Sequence, residues 1–505
     1  MKPGKSKPTV LIVTPEVTYL PPGMGNAANY LGAKAGGLAD VSAALVNALL
    51  EQGADVHIAL PDYRSMFDDQ FSKLLRNEMR MIKKQLPEDR FHLAEDRVFF
   101  YQNRVYADFE WENIKIALAF QREVVNSIIP EVQPDLIHCN DWMTGLIPGA
   151  ARQQGIPSLF TIHNIHTVKT NLSTIEDRGI DAAAFWQHLY YDRPPANYEE
   201  TREHNRVDFL TSGVFAAHYV NTVSPTFLEE MVQGRHDFVG SNLRGELIGK
   251  HAAGCAVGIL NAPDPSYQPQ SDPALEGNYG PRNHRDGKAR NKRRLQKAVG
   301  LEVLPEAPLF FWPHRLDPYQ KGCQLLAEIL YPVVSRYWQQ HLQIVFVANG
   351  EYQKHFRDIV AFHNLEPRVA VADFSDRLSR TAYAGADFVL MPSRFEPCGL
   401  PQMIGPIYGA LPVAHDTGGI HDTVEDLDVT ADSGNGFLFK YYDAAGFSWA
   451  VDQAMSFYRR PASIREVQVR RVMEQSARRF NHAVTAKAYI DLYETMIQRP
   501  LILPT

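Results

Sequence analysis

The chain has 505 residues, 45% apolar and 22% charged, a globular composition too long for one ordinary core, so two domains of roughly 200 to 270 residues are expected. A formal net charge of −7 argues against a general binder of nucleic acid or anionic membrane. No apolar run approaches the roughly 18 residues that span a bilayer, and four scattered cysteines without CxxC spacing fit reduced thiols in a cytoplasm better than disulfides or a zinc site.

The chain starts with a basic arm (Lys2, Lys5, Lys7) that reads as solvated, and Pro3, Gly4 and Pro8 leave no apolar leader segment. Residues 9–13 read as a buried strand, 38–52 as an Ala- and Leu-rich helix stopped by Gly53, and 55–60 as a strand stopped by Pro61. Residues 135–139 and 158–162 are further short apolar runs of the kind buried in a parallel sheet. The scheme repeats later, with strands over 309–312, 343–347, 369–371 and 388–391 and helices over 324–340 and 352–363. Two sets of alternating strands and helices predict an α/β protein with two doubly wound sheets. A polar stretch rich in Pro, Gly and Asn after Asn261 predicts the boundary, giving domains over 1–262 and 263–482. Residues 483–498 read as an amphipathic helix that packs back on one of them.

In paired α/β domains ligands bind beyond the carboxyl ends of the strands, so the residues just after each strand carry the chemistry. Lys34-Ala35-Gly36-Gly37-Leu38-Ala39-Asp40 opens the first helix: two glycines let the backbone approach an anion, the helix start supplies partial positive charge, and Lys34 adds a full one. The segment from Thr14 to Ala33 is long for a strand-to-helix loop, which favours function. Asp141-Trp142 and His163 each follow a strand, and a surface turn or a packed histidine is the bland alternative. Arg315 and Lys321 follow residues 309–312 as two cations at one crevice edge, the arrangement that neutralises a diphosphate leaving group where no metal is held. Arg394-Phe395-Glu396-Pro397-Cys398-Gly399-Leu400 places a carboxylate beside a glycine turn and a helix start, which suits sugar hydroxyls and phosphate oxygens together. The histidines are dispersed, no HxxxH or DxD pair sits in a suitable loop, and Asp426-Leu427-Asp428 reads as surface far from any strand end.

Taken together, residues 34–41, 138–142 and 161–164, Thr222-Val223-Ser224-Pro225, Gly287-Lys288 with Asn291-Lys292, residues 315–322, and 393–400 with Thr417-Gly418-Gly419 resemble the motifs of bacterial glycogen synthases and plant starch synthases, in family order along almost the whole chain. The resemblance implies a GT-B fold, two Rossmann-like domains facing across a cleft, with the C-terminal helix crossing back to the first. It implies a metal-independent, retaining transfer of glucose from ADP-glucose to the non-reducing 4-OH of glycogen or a maltooligosaccharide, without any cofactor beyond the donor. By the same resemblance Glu396 holds donor hydroxyls with the amides near Gly399 and Leu400, His163 contacts the sugar, and Arg315 and Lys321 bind the diphosphate. Lys34, Gly36 and Gly37 reach the phosphates, Phe374 stacks on the base, and Asp40, Asp141 and Asn261 line the donor and acceptor surroundings. Cys398, Thr417 and Gly418 fall in the same matched motifs and join the substrate-binding set.

The chain departs from the family at several points. Pro401 stands where Thr or Ser is usual, Met143 where His is frequent and His314 where Ser is usual. Asn261-Ala262-Pro263-Asp264 replaces a glycine-containing turn, and the loop over 16–33 is long. These departures leave two alternatives open: a related transferase using UDP-glucose or another acceptor, and a catalytically silent glucan-binding homologue.

Overall fold

The computed structural model describes residues 7–25, 28, 31–67 and 90–502; Lys2 and Lys5 of the basic arm and Asn26 of the long loop lie outside them. The chain divides into two compact units, one formed by residues up to Leu260 together with those from His482 onward, the other by Asn261–Asn481. Among the described residues no helix is long and apolar enough to cross a membrane.

The first unit is built on a parallel sheet of β1 (Thr9–Val13), β2 (Asp55–Pro61), β3 (Phe91–Ala94), β4 (Leu136–Asn140), β5 (Ser158–Ile162), β8 (Tyr219–Thr222) and β9 (Ala256–Gly258). Its order is β3-β2-β1-β4-β5-β8-β9. A small antiparallel ribbon, β6 (Lys169–Thr170) with β7 (Val207–Asp208), stands apart from it. Val10 to Val13 are buried without alternation, because helices cover both faces of a parallel sheet and neither side of the strand meets water. The first helix is Gly37–Glu51, and Gly53 beyond it takes the left-handed φ of +87° that ends such helices. β2 ends at Pro61 as expected, one residue later than the run 55–60 because the proline itself is still paired. Pro61 lies opposite Ala94, where the missing N–H matters little because the next amide, of Asp62, donates to Ala94 O at 3.1 Å.

The terminal helix His482–Ile497 belongs to this first unit, and it is held there by polar as well as apolar contacts. His138 on β4 meets the Tyr493 hydroxyl through Nδ1 at 2.7 Å and the Thr161 hydroxyl through Nε2 at 2.6 Å. Asn221 on β8 donates to the Tyr489 hydroxyl at 3.1 Å. Burial takes His138 down to about 3, so it is a neutral crosslink between sheet and helix.

The second unit carries β10 (Leu309–Trp312), β11 (Gln343–Val347), β12 (Val369–Ala372), β13 (Phe388–Met391), β14 (Leu411–His415) and β15 (Phe437–Phe439), all parallel, in the order β12-β11-β10-β13-β14-β15. The helix expected over 324–340 is shorter, Cys323–Arg336, followed by a separate tight turn at Trp338–Gln340; His341, at φ +60°, reverses the chain into β11. Asp426 and Asp428 are exposed, as expected of surface residues, but Asp426 is not remote from strands: its Oδ1 accepts the Leu438 amide of β15 at 2.8 Å.

The motif Gly287-Lys288…Asn291-Lys292 lies on the helix His284–Val299 and is structural. Lys288 Nζ donates to the carbonyls of Ala384, Ala386 and Tyr408 at 2.7 to 3.2 Å, and Lys292 Nζ reaches Asp387 Oδ2 at 2.6 Å. Two buried lysine side chains thus satisfy carbonyls and a carboxylate around the amino end of β13, and the Tyr279 hydroxyl shares two of those carbonyls, of Ala384 and Tyr408.

In each unit the strand order reverses once beside its first strand, between β1 and β4 and between β10 and β13. In doubly wound sheets ligands bind beyond the carboxyl ends of the strands beside such a reversal.

Candidate active site

In the second unit the loop after β10 runs from Pro313 to Gly322 and the loop after β13 from Pro392 to Leu400. They touch because Gly322 has no side chain: a Cβ there would lie 1.9 Å from Pro392 O, and its φ of +74° also requires glycine. Arg394 N then donates to Gln320 O at 2.8 Å. The contact brings Lys321 Nζ to 2.6 Å from Glu396 Oε2, with side chains only 12% and 8% exposed. Ser393 Oγ donates to the same Oε2 at 3.0 Å. Arg315, on the same loop as Lys321, is exposed and makes no hydrogen bond or ion pair to another described residue.

The β14 loop joins this group through the backbone. Thr417 precedes the helix Gly418–Thr423, Gly418 is left-handed at φ +46°, and Gly419 N donates to Glu396 O at 2.9 Å. A Cβ on Gly419 would come within 2.1 Å of Cys398 O, so the Thr417-Gly418-Gly419 motif exists to let two loops close on each other. Gly399, at φ +73°, turns the chain so that Leu400 becomes the N-cap of the helix Pro401–Ile407. Pro401 occupies the first helical position, where its lack of an N–H costs the helix nothing. Cys398 is buried, which pushes its thiol up to about 12 against a backbone hydrogen bond from Asn261. The Asn261 side chain is itself buried, with its Oδ1 unpaired among the described residues. Glu396, Cys398, Gly399, Leu400, Thr417, Gly418, Lys321 and Asn261 are therefore one cluster.

Phe374 stands apart beyond β12, 56% exposed, with its amide fixed by Asn349 Oδ1 at 2.9 Å. Asn349 O in turn accepts from Leu316 N at 2.9 Å, which ties this ring's loop to the one carrying Arg315. His314 faces away from that chemistry: it is buried, Nε2 meets Leu390 O at 3.1 Å, and burial keeps it neutral.

In the first unit the groups past β4 and β5 form a second cluster. Asp141 is buried and holds a left-handed φ of +58° with an extended ψ of 178°, a conformation costing a side-chain-bearing residue about 1–3 kcal/mol. The strain turns its carboxylate onto the next loop: Oδ1 accepts His163 N at 2.7 Å and Oδ2 accepts Asn164 Nδ2 at 2.8 Å. Burial raises Asp141 to about 7 in spite of those bonds, and the neighbouring Glu16 charge adds to the rise. Asn140 donates to Val13 O at 3.1 Å, which leaves its Oδ1, 2.9 Å from His163 Nε2, as the acceptor. His163 therefore carries its proton on Nε2 and presents a bare Nδ1, and burial lowers it to about 3.

Past β1 lies a residue that no motif marked, Glu16. Its Oε2 accepts the amides of Ala35 at 2.5 Å and Gly36 at 2.9 Å, so the Gly36 amide is engaged within the protein. Lys34 Nζ sits 2.7 Å from Asp40 Oδ2, and Thr18 Oγ1 donates to Asp40 Oδ1 at 2.6 Å. Gly37 is exposed. Glu16 also raises the buried hydroxyls of Tyr63 and Tyr106, in both cases after burial itself, and Tyr106 faces Trp142 with ring centres 6.5 Å apart. Sequence reasoning passed over Glu16, Asn140, Tyr63 and Tyr106. The sequence marks Glu16 only by its place three residues past the first strand, which does not tell it from any other loop acid. Among the described residues no three His, Cys, Asp or Glu side chains gather as a metal site.

Residues 9–247 match the model of the starch synthase catalytic domain, and residues 307–456 match that of glycosyl transferases group 1. The glycogen synthase of Syntrophotalea carbinolica is 32% identical over 92% of this chain and 96% of its own, and that of Moorella thermoacetica 33% over 97% of both. The catalytic domain of Arabidopsis thaliana starch synthase IV, solved with ADP and acarbose, superimposes with a TM-score of 0.77 at 26% identity, covering 98% of this chain and 100% of that one.

Proposed function

The chain belongs to the glycogen synthase and starch synthase family of GT-B glycosyltransferases, and from that premise we propose that it extends an α-1,4-glucan with glucose from ADP-glucose, retaining configuration at the transferred carbon. The observation that carries this reading is the Lys321–Glu396 pair at the strand-order reversal of the second unit. Cleaving the sugar–diphosphate bond builds negative charge on the leaving group and oxocarbenium character on the ring. A fixed cation and a carboxylate in one place answer both needs.

In this mechanism Glu396 accepts donor hydroxyls, Lys321 turns from it to the diphosphate, and the unpaired Arg315 supplies the second positive charge. The amides near Gly399 and Leu400 hold donor hydroxyls together with Glu396, with Thr417 and Gly418 supporting that loop and Phe374 stacking on the base. Lys34 and Gly37 take phosphate oxygens, while Asp141 and the neutral His163 hold sugar hydroxyls beside the reacting carbon. No second carboxylate acts as a nucleophile. The acceptor 4-OH attacks from the side the leaving group departs, and its proton passes to the departing phosphate oxygen. The ADP held by the Arabidopsis starch synthase is the nucleotide that ADP-glucose leaves behind, which supports an adenine donor here.

Incubation with glycogen and either ADP-glucose or UDP-glucose, following nucleotide release and chain extension, tests the proposal. Extension with ADP-glucose is the expected result. A preference for UDP-glucose would overturn the donor assignment, and glycogen binding without turnover would reduce the protein to a glucan binder.

A further inference from the structure

We propose that Glu16 is a positioning residue for the phosphate-receiving turn of the first unit, occupying the Ala35 and Gly36 amides so that the Gly37 amide is the one left for the donor. This inference rests on the proposed transferase reading for its ligand, a nucleoside diphosphate sugar, but its geometry does not.

The helix Gly37–Glu51 has no side-chain cap of its own, because Gly36 stands at the N-cap. The amide of that N-cap, and the Ala35 amide before it, need an acceptor, and a buried carboxylate supplies one. Glu16 is 2% exposed, and a single oxygen, Oε2, takes both amides, at 2.5 and 2.9 Å. Charge-assisted bonds of this kind, at the positive end of a helix, oppose the burial of the acid without outweighing it: burial first, and the Asp40 charge after the amide bonds, keep the Glu16 carboxyl above its usual value.

Glu16 is itself fixed. Thr14 Oγ1 lies 3.1 Å from Glu16 O and 3.1 Å from Ser42 Oγ, which ties the strand exit to the same helix. One residue on, Val17 and Ala33 exchange both backbone hydrogen bonds, at 2.9 and 2.7 Å. The long loop is thereby closed at its two ends, and Lys34, Ala35 and Gly36 have little freedom between that bridge and the carboxylate. Asp40 holds the Lys34 ammonium at 2.7 Å. Gly37, next in the turn, is exposed, and a Cβ there would meet nothing within 4 Å. A phosphate that came to the turn would find two of its amides already bonded and the third accessible. Without Glu16 the same phosphate would have to order the turn on binding, and that cost would appear as weaker donor binding.

The test uses the full chain and three variants. Glu16→Ala removes the acceptor, Glu16→Asp withdraws it by one methylene, and Glu16→Gln keeps an oxygen within reach of both amides without the charge. Amide hydrogen exchange at Ala35 and Gly36, which needs no substrate, is expected to rise at least tenfold in Glu16→Ala, to rise less in Glu16→Asp and to stay near wild type in Glu16→Gln. With ADP-glucose and glycogen, KM for the donor is expected to rise about tenfold in Glu16→Ala with KM for glycogen unchanged, and Glu16→Gln to restore it to within about threefold. Should Glu16→Ala fail to fold, Glu16→Asp decides in its place. Exchange and donor KM within twofold of wild type in the folded truncation, or equal damage in Glu16→Gln, would overturn the proposal. A wild-type chain with no turnover on either nucleotide sugar would sink the transferase reading instead, and the exchange measurement would still judge the role of Glu16.

Discussion

Lys321 Nζ lies 2.6 Å from Glu396 Oε2, so the cation assigned to the diphosphate and the carboxylate assigned to the sugar hold each other. Each is the other's counter-charge, in a place where neither is well solvated. Lys321→Ala strands a carboxylate with only Ser393 for company and is expected to cost about 3 kcal/mol of stability. Lys321→Ala with Glu396→Ala together should recover much of that loss in urea unfolding. Turnover should fall by about 100-fold or more in each single variant and not return in the double one.

Asp141 gives a pH signature. Its carboxyl, at about 7 in the native protein, keeps a proton that the unfolded chain has lost above about 4. The native state therefore binds more protons across that window, and stability falls as pH rises from about 4 to 7. Asp141→Asn removes the effect. Urea unfolding at stepped pH should show the wild type losing roughly 2 to 4 kcal/mol against the Asn variant over the window. Equal slopes for the two proteins would contradict the buried acid.

Pro401 sits at the first position of its helix with neither N–H nor hydroxyl to offer. Pro401→Thr adds both beside Gly399 and Leu400. The expected outcome is a several-fold lower donor KM and an unchanged KM for glycogen, with stability lowered by about 0.4–1 kcal/mol as the unfolded chain gains freedom. Initial-rate kinetics and thermal unfolding check the two parts separately.

Lys288 titrates in the opposite sense. Burial takes it down to about 7, so the native protein sheds a proton that the unfolded chain keeps up to about 10. Stability contributed by this position rises with pH between those values. Lys288→Met has no such rise and also removes the donor shared by Ala384, Ala386 and Tyr408. The variant should be less stable throughout, and the gap should widen from pH 7 to pH 10.

The fold was legible where five-residue strands were mostly apolar and rich in β-branched or aromatic side chains, as at Thr9–Val13, Ser158–Ile162 and Gln343–Val347. Three-residue strands such as Ala256–Gly258 and Phe437–Phe439 are too short to show a period, and β14 carries Pro412 inside it, which reads against a strand. In the site, Lys321 and Glu396 could be singled out because each lies in the loop after a strand and carries a chemistry of its own. Glu16 could not, because a lone acid in a long loop shows no relation to amides 19 and 20 residues further on. His138 shows the reverse error that motifs invite: it lies in a run matched for chemistry, yet its partner is Tyr493, 355 residues away.

The terminal helix has one more consequence, for how this protein is made. Tyr489 and Tyr493 fill the underside of a sheet whose strands all leave the ribosome before residue 260. At roughly 5 to 20 residues per second, the intervening second unit of about 220 residues keeps that sheet waiting for about 10 to 45 s. Through that interval a nascent chain carries an unfinished apolar surface, which makes the first unit, though translated first, the last to close.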